Sequence, residues 1–361
     1  MITVGKLWNV RKMHEGHKFY DTYTAICHMA NHFDIDLFFF SPEDVDIENM
    51  TIDALFLERS RQVRRKVRIP AIVDDSADFA NNKLCREIAQ KLKRYTILVQ
   101  PFAGYSKMKT YQLLREGDRF KELLIPTAPV KTIEDLESLL GQYDGRLFMK
   151  PRNGSGGRGA FMIEITRGQY KLHAKRKKTT FSSEDFPSYF HQNIAPLPGN
   201  RYARYLAQPV INSERLTGEA CDVRIHVQRG AGGAFTHTSF VRIGHPEGIV
   251  SNLAGGGYLM PAEGFLRNEF GKSWRGIYAK LEEIAIGFPE YWQSLIPVTT
   301  ANIGIDVGIQ KTLKGGSFHI FEINSHCGMV FPHIQAFRII QALLEYYHHL
   351  YDNFAMERNI G

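Results

Sequence analysis

The stretch Arg146-Leu147-Phe148-Met149-Lys150-Pro151-Arg152-Asn153-Gly154-Ser155-Gly156-Gly157-Arg158-Gly159-Ala160-Phe161-Met162-Ile163 sets a glycine-rich loop between two apolar runs, the first of which ends in a lysine. Gly154, Gly156 and Gly159 satisfy the G-x-G-x-x-G spacing of a dinucleotide fingerprint. That fingerprint works only where the loop opens a helix, with an acidic residue about 20 positions further on. Here Ala160-Phe161-Met162-Ile163-Glu164-Ile165 continues as a strand pattern and leads into the basic segment 171–178. The stretch therefore reads as a strand, a glycine loop and a second strand in a hairpin, not as a Rossmann turn. Glycines let the backbone approach a ligand closely and aim successive N–H groups at an anion. With Lys150 at its base, the loop predicts a flexible lid over nucleotide phosphates. A solvent-exposed glycine hairpin without a ligand has the same local signature, so the loop needs a second witness.

A chain of 361 residues has room for two or three lobes with cores of their own, and its apolar and charged fractions are those of a globular protein. No long apolar stretch follows Met1-Ile2-Thr3-Val4-Gly5-Lys6, so no signal peptide is expected. Runs such as Leu37-Phe38-Phe39-Phe40 fall far short of the ~20 residues of a membrane helix, and no membrane partner is expected. Cys27, Cys85, Cys221 and Cys327 form no C-x-x-C pair, which speaks against a disulfide framework or a structural zinc site and for a reducing, cytoplasmic compartment. The formal charge is +7, with basic clusters at 59–68 and 171–178. Neither cluster carries a nucleic-acid motif or interleaved stacking aromatics. Solvated faces, or an anionic substrate and nucleotide, account for them better than nucleic acid does.

The first hundred residues alternate strand and helix signals: strands at 2–7, 35–40, 53–57, 69–73 and 95–99, with helical apolar spacing at 19–31 and from Asn81 or Asn82 to about 93. This alternation implies a small open α/β sheet. Pro101-Phe102-Ala103-Gly104 breaks it. Ser106 is a candidate cap for a helix through Lys107, Tyr111 and Leu114. Thr132-Ile133-Glu134-Asp135 reads as a capping box, with Asp135 in the place of Glu or Gln. A polar segment to about 202 follows the glycine hairpin, with a turn at Pro196-Leu197-Pro198-Gly199-Asn200. Beyond it come a strand at 205–211, an antiparallel pair at 223–228 and 235–243, a helix at 272–286, a hairpin of 301–309 with 317–323, and a long helix at 332–354. The expected lobes are 1–104, 105–204 and 205–361.

The second witness is Asp306-Val307 with Phe321-Glu322-Ile323-Asn324. Glu322 and Asn324 lie two apart on a strand and share a face, and Asp306 on the preceding strand can join them. Both acids interrupt apolar runs, and acids inside buried strands are rarely left unpaired. Asp306, Glu322 and Asn324 together make a hard oxygen site suited to Mg²⁺, although three polar residues on an exposed sheet face would share this pattern. Arg224, in Cys221-Asp222-Val223-Arg224-Ile225-His226-Val227, is either a guanidinium facing a phosphate site or the partner of Asp222 on the same face. His226, His319, His326 and His333 have no sharp metal spacing, and no base near Cys327 marks it as a nucleophile. His326, just after the acidic strand, is a candidate substrate contact. The absence of G-x-x-x-x-G-K-[ST] excludes a P-loop NTPase.

A glycine hairpin beside a lysine, with Asp…Glu-x-Asn on a hairpin far downstream, resembles the ATP-grasp superfamily over roughly residues 106–331. Lys150-Pro151 with Gly154, Ser155, Gly156, Gly157 and Gly159 looks like its phosphate-binding lid. Gln208-Pro209-Val210-Ile211 looks like the hinge whose backbone reads adenine, and Lys107 like the first nucleotide lysine. Asp306, Glu322 and Asn324 match its magnesium ligands. Cys327 departs from the family's usual E-x-N-x-x-P-G by standing where proline is common. A narrower resemblance, to the spore coat-associated YheC/YheD-type ATP-grasp proteins, runs through Phe40-Ser41-Pro42-Glu43-Asp44, Ile69-Pro70-Ala71-Ile72-Val73-Asp74, Cys221-Asp222-Val223-Arg224 and Ser251-Asn252-Leu253-Ala254-Gly255-Gly256-Gly257.

The resemblance implies an ATP-grasp fold with an N-terminal α/β lobe and two lobes clamping ATP and two Mg²⁺. It implies a carboxylate–amine ligase working through an acyl phosphate on a small-molecule or peptide carboxylate and an amine. In that reading Lys150 and Arg224 are catalytic, and Asn252, Gly255, Gly256 and His326 face the substrate. A phosphotransferase on the same site and a non-catalytic coat protein remain open alternatives.

Overall fold

The computed structural model describes residues 1–14, 20–58, 61–75, 83–99, 106–154, 156–175, 177–297, 299–313, 315–324 and 333–357. Ser155, His326 and Cys327 lie outside these residues, as do Arg59, Asn81, Asn82, Pro332 and the break at 101–104.

Three sheets organise the chain. The first contains β1 (Ile2–Leu7), β2 (Ile35–Phe40), β3 (Val45–Asp46), β4 (Thr51–Glu58), β5 (Arg61–Arg68), β6 (Ile72–Asp75) and β7 (Ile97–Val99), in the order β3-β4-β2-β1-β6-β7 with β5 on β4. Its β2-β1-β6-β7 half is parallel, as strands alternating with α1 (Tyr20–His32) and α2 (Lys83–Leu92) require. The basic cluster at 59–68 supplies β5, an antiparallel edge strand that the sequence reading missed. Only Val63 and Val67 pack inward, while Arg64 and Arg65 pair with Asp44, Asp53 and Glu58. Charges along an open edge discourage pairing with other chains.

The second sheet contains β8 (Ala128–Val130), β9 (Arg146–Pro151), β10 (Phe161–Thr166), β11 (Gln169–Ala174), β12 (Lys177–Phe181) and β13 (Tyr205–Pro209), in the order β12-β11-β10-β9-β13-β8. It is antiparallel throughout, and β9 with β10 forms the hairpin expected around the glycine loop. The polar segment after that hairpin folds as β11, β12 and a helix. Tyr170 and Leu172 alternate inward while Lys171 points out. Before it, α3 (Lys107–Glu116) starts with Ser106 accepting from the Lys109 N–H, and α4 (Ile133–Gln142) starts with the Thr132/Asp135 capping box. The sequence reading missed the helix of that polar segment, α5 (Phe186–Asn193), as it missed the later one at 262–270. The expected lobe boundary at 204/205 falls just before β13, whose partners β8 and β9 belong to this central sheet.

The third sheet contains β14 (Cys221–Arg229), β15 (Phe235–Ile243), β16 (Tyr258–Pro261), β17 (Asn302–Thr312) and β18 (Gly315–Asn324), in the order β16-β15-β14-β17-β18 and antiparallel throughout. Its apolar face is covered by α6 (Ala262–Phe270) and α7 (Trp274–Leu295), and Leu114 of α3 joins the same core with Phe120 and Leu123. The last helix, α8 (His333–Glu357), returns to the first sheet, where Ile340, Leu343, Leu344 and Tyr347 pack with Ile2, Val4 and Ile72. There Lys6 Nζ lies 2.6 Å from Asp74, which also accepts from the Tyr347 hydroxyl, so both buried charges are satisfied.

Candidate active site

The polar faces of the central and C-terminal sheets enclose a cleft of about 930 Å³, the size of a small-molecule site. Strand register decides what faces it. Gln208, Phe148, Met162, His173 and Lys178 are successive cross-strand partners, and all line one wall. On the opposite wall Arg224 stands beside Asp306, and Asp306 beside Glu322. Pro209, Val210 and Ile211 line the cleft at the hinge. Gln208 is tied down there by donating from Nε2 to Thr127 Oγ1 at 2.7 Å.

Gly154, Gly156, Gly157 and Gly159 all have positive φ, at 148°, 64°, 65° and 76°, a region that side chains disfavour. Their close approach is to the loop after β15. Asn252 donates from Nδ2 to the Gly156 carbonyl and accepts the Gly255 N–H at 2.9 Å. The expected site residue Asn252 is thus where the two lobes touch across the cleft. Gly159, Gly255 and Gly256 lie just outside the lining. A Cβ on Gly157 would come within 2.6 Å of Asn252 Nδ2. Gly157→Ala therefore costs ~1–2 kcal/mol of left-handed strain and lowers the melting temperature by a few degrees, which thermal denaturation measures.

Charge on the cleft wall is arranged as one network. Asp306 is 5% exposed. It accepts from Arg224 Nε and, at 3.1 Å, from Arg224 Nη2. Arg242 Nη2 lies 2.8 Å from it, and Asn324 Nδ2 donates to it at 3.0 Å. Burial raises the Asp306 pKa, but Arg224 and Arg242 outweigh that and hold the carboxyl below the usual carboxylate range. Arg224 does not pair with Asp222, the acid the sequence offered it, but with Asp306, while Asp222 binds Arg242, with Arg242 Nε donating to Asp222 Oδ1 at 2.8 Å. Arg242 was missed in the sequence. The signal was available in the hairpin, since antiparallel pairing of 221–229 with 235–243 sets Arg242 opposite Asp222.

A β-bulge shapes the other end of this wall. Asp306 pairs with Glu322 but Val307 with Ile320, so Phe321 is the extra residue. Its carbonyl, released from the ladder, accepts from Lys150 Nζ at 3.2 Å. Its ring lies over Gly308, where a Cβ would come within 2.0 Å of ring carbon Cζ. Lys107 Nζ lies 3.3 Å from Glu322 Oε1. Burial lowers the Lys150 pKa to about 8, with Lys107 adding to the effect and Glu322 and Asp306 opposing it. Cys221 also lines the cleft, but burial pushes its thiol up to about 12, which leaves it inert as a nucleophile.

Among the described residues no cluster of three or more His, Cys, Asp or Glu has metal-binding geometry. The donor set nonetheless fits a hard cation that takes few protein ligands. Asp306, Glu322 and the Asn324 amide oxygen are neighbours on paired strands, and both carboxylates already attract protein cations.

A cleft between two antiparallel lobes, roofed by a glycine hairpin and floored by an acidic strand pair, is the architecture of the ATP-grasp proteins. The chain belongs to the YheC/D-like ATP-grasp family, whose model matches residues 84–350. It is similar to two proteins of Bacillus subtilis (strain 168). Endospore coat-associated protein YheD is 24% identical over 316 residues, covering 82% of this chain and 65% of YheD. Endospore coat-associated protein YheC is 22% identical over 342 residues, covering 91% of this chain and 89% of YheC. The matched region thus spans just under two thirds of YheD's length. Among solved structures, D-alanyl-alanine synthetase A from Vibrio cholerae O1 shares the fold, with a TM-score of 0.53, 10% identity and 98% coverage of both chains. Among the described residues no helix is long and apolar enough to cross a membrane.

Proposed function

We propose that the protein is an ATP-dependent ligase that joins a carboxylate to an amine through an acyl phosphate, releasing ADP and phosphate. One observation carries this reading: Lys107 and Lys150 meet the Glu322 strand beneath a glycine lid, with Arg224 two strands away beside Asp306. The ligase neighbour of the same fold supports it at the level of reaction class. In this reading ATP lies along the hinge at 208–211, and the lid N–H groups of Gly154, Gly156 and Gly157 face its phosphates. Lys107 and Lys150 hold phosphate oxygens, with Ser155 and Gly159 completing the lid. Asp306, Glu322 and Asn324 would hold Mg²⁺, two ions in this reading, which would supply positive charge against the phosphates.

A substrate carboxylate oxygen attacks the γ-phosphorus and ADP leaves. The amine then attacks the acyl carbon and phosphate departs with one former carboxylate oxygen. Arg224, fixed by Asp306, stabilises charge on the acyl phosphate and its tetrahedral successor. Asn252, Gly255, Gly256 and His326 border the substrate. The protein's contribution is positioning and charge neutralisation. Three lobes near 1–104, 105–204 and 205–361, with β13 counted in the central one, and a reducing cytoplasm complete the reading.

The test is a screen of amino acids and small peptides for ADP release, with mass detection of products. An amide with stoichiometric ADP supports the ligase. A phosphorylated acceptor identifies a phosphotransferase. No Mg·ATP binding in calorimetry identifies a non-catalytic protein, the alternative that the relatives' coat association favours.

Lys150 sets a pH dependence. With its free-protein pKa at about 8, it is charged below that pH and loses its charge as pH rises through it. Phosphate binding needs the cation, so kcat/KM for ATP falls above pH ~8, since that quantity reports the free enzyme. Lys150→Arg, charged throughout, removes this fall; the pH–rate profiles of both proteins check it.

A further inference from the structure

A second basic site lies outside the cleft, on the flank of the central sheet. The Arg152 N–H donates to the Arg204 carbonyl at 3.0 Å, which holds the end of β9 against the segment before β13. This gathers Arg152, Arg201 and Arg204 around Tyr202, which is 47% exposed. The guanidinium carbons of Arg152 and Arg201 lie 4.7 and 4.8 Å from the Tyr202 ring centroid, and that of Arg204 lies 6.0 Å from the ring of Tyr205. Arg201 Nη2 also donates to Tyr202 Oη at 2.7 Å, and Arg204 Nη1 to the Gln192 carbonyl at 3.4 Å. Among the described residues none of the three arginines has an Asp or Glu partner. The basic edge strand β5 differs, since its Arg64 and Arg65 are paired with acids. Three like charges held together without a counter-charge repel one another, and an anionic partner relieves that repulsion.

The patch adjoins the lid. Pro151 and Gly154, on either side of Arg152 and Asn153, line the cleft, and Tyr205 Oη lies 3.7 Å from where a Cβ on Gly159 would sit. We propose that this arginine patch docks an acidic peptide segment, the body of a peptide substrate whose reacting end enters the cleft. The second half of that statement rests on the ligase reading. Guanidinium forks match carboxylates two oxygens at a time. A polynucleotide would need an aromatic platform open to a base, and two guanidinium groups already crowd the Tyr202 ring.

The experiment is fluorescence anisotropy of dye-labelled hexaglutamate with the full chain, without nucleotide, at low and at physiological salt. The wild type binds it, more weakly as salt rises, and Arg201→Glu/Arg204→Glu lowers the affinity at least about tenfold. Arg201→Gln/Arg204→Gln, with its melting temperature checked, gives the same answer should the charge reversal disturb folding. Equal binding by wild type and both variants overturns the proposal. So does tighter, arginine-dependent binding of hexauridylate, which would assign the patch to nucleic acid. Peptide binding without any ligation sinks the ligase reading and leaves the patch standing. Ligation without arginine-dependent peptide binding does the reverse.

Discussion

Glu322→Gln lowers the rate of ADP release about 10³-fold while leaving the fold intact. The side chain ends on β18 at the cleft wall, with 29% of its surface exposed. Glutamine keeps the shape and an oxygen for Lys107 but removes the charge that would hold a divalent cation against ATP phosphates. The structural cost is small, because a partly exposed ion pair contributes at most about 1 kcal/mol. A melting temperature within a few degrees of wild type accompanies the lost turnover. Initial-rate assays and thermal denaturation check both halves, and unchanged turnover sinks the metal assignment.

Arg224→Lys lowers kcat about 10²–10³-fold and leaves the ATP dissociation constant within about threefold of wild type. Lysine retains a charge but not the fork that meets Asp306 with Nε and Nη2. In the proposed mechanism the displaced ammonium no longer faces the acyl phosphate, whereas Lys107, Lys150 and the lid hold the nucleotide. Arg242 and Asn324 still satisfy Asp306, so the variant folds. Arg224→Ala is a poorer test, since breaking a buried pair costs about 3–5 kcal/mol. The discriminating result is the split between the two constants. An equal loss in ATP affinity and kcat would assign Arg224 to nucleotide binding.

Features set by short-range pattern were legible in the sequence. The run after Gly159 is strand-like and opens no helix, so the loop reads as a hairpin, and β9 and β10 pair on either side of it. Asp306 and Glu322 stood out as acids in apolar strands, and the register makes them partners. What the sequence hid depends on contacts between distant segments. The bulge that frees the Phe321 carbonyl exists only once β17 fixes the register of β18. Gly308 has no visible purpose until the Phe321 ring lies on it. Arg242 carries no motif of its own, and its role follows only from the register of the hairpin that sets it against Asp222. β5 carries just two inward valines among its cations, so nothing local announces a strand. α8 read as a terminal helix, with no hint that Tyr347 closes over Asp74 in the first sheet.

The central claim is an acyl-phosphate ligase, and oxygen transfer tests it most directly. A carboxylate substrate from the ADP-release screen is labelled with ¹⁸O in its carboxyl group and incubated with Mg·ATP and the amine, and the inorganic phosphate is analysed by mass spectrometry. The mechanism predicts one ¹⁸O per phosphate released, matched to one amide formed. Unlabelled phosphate, or label retained in a stable phosphorylated product, would contradict it.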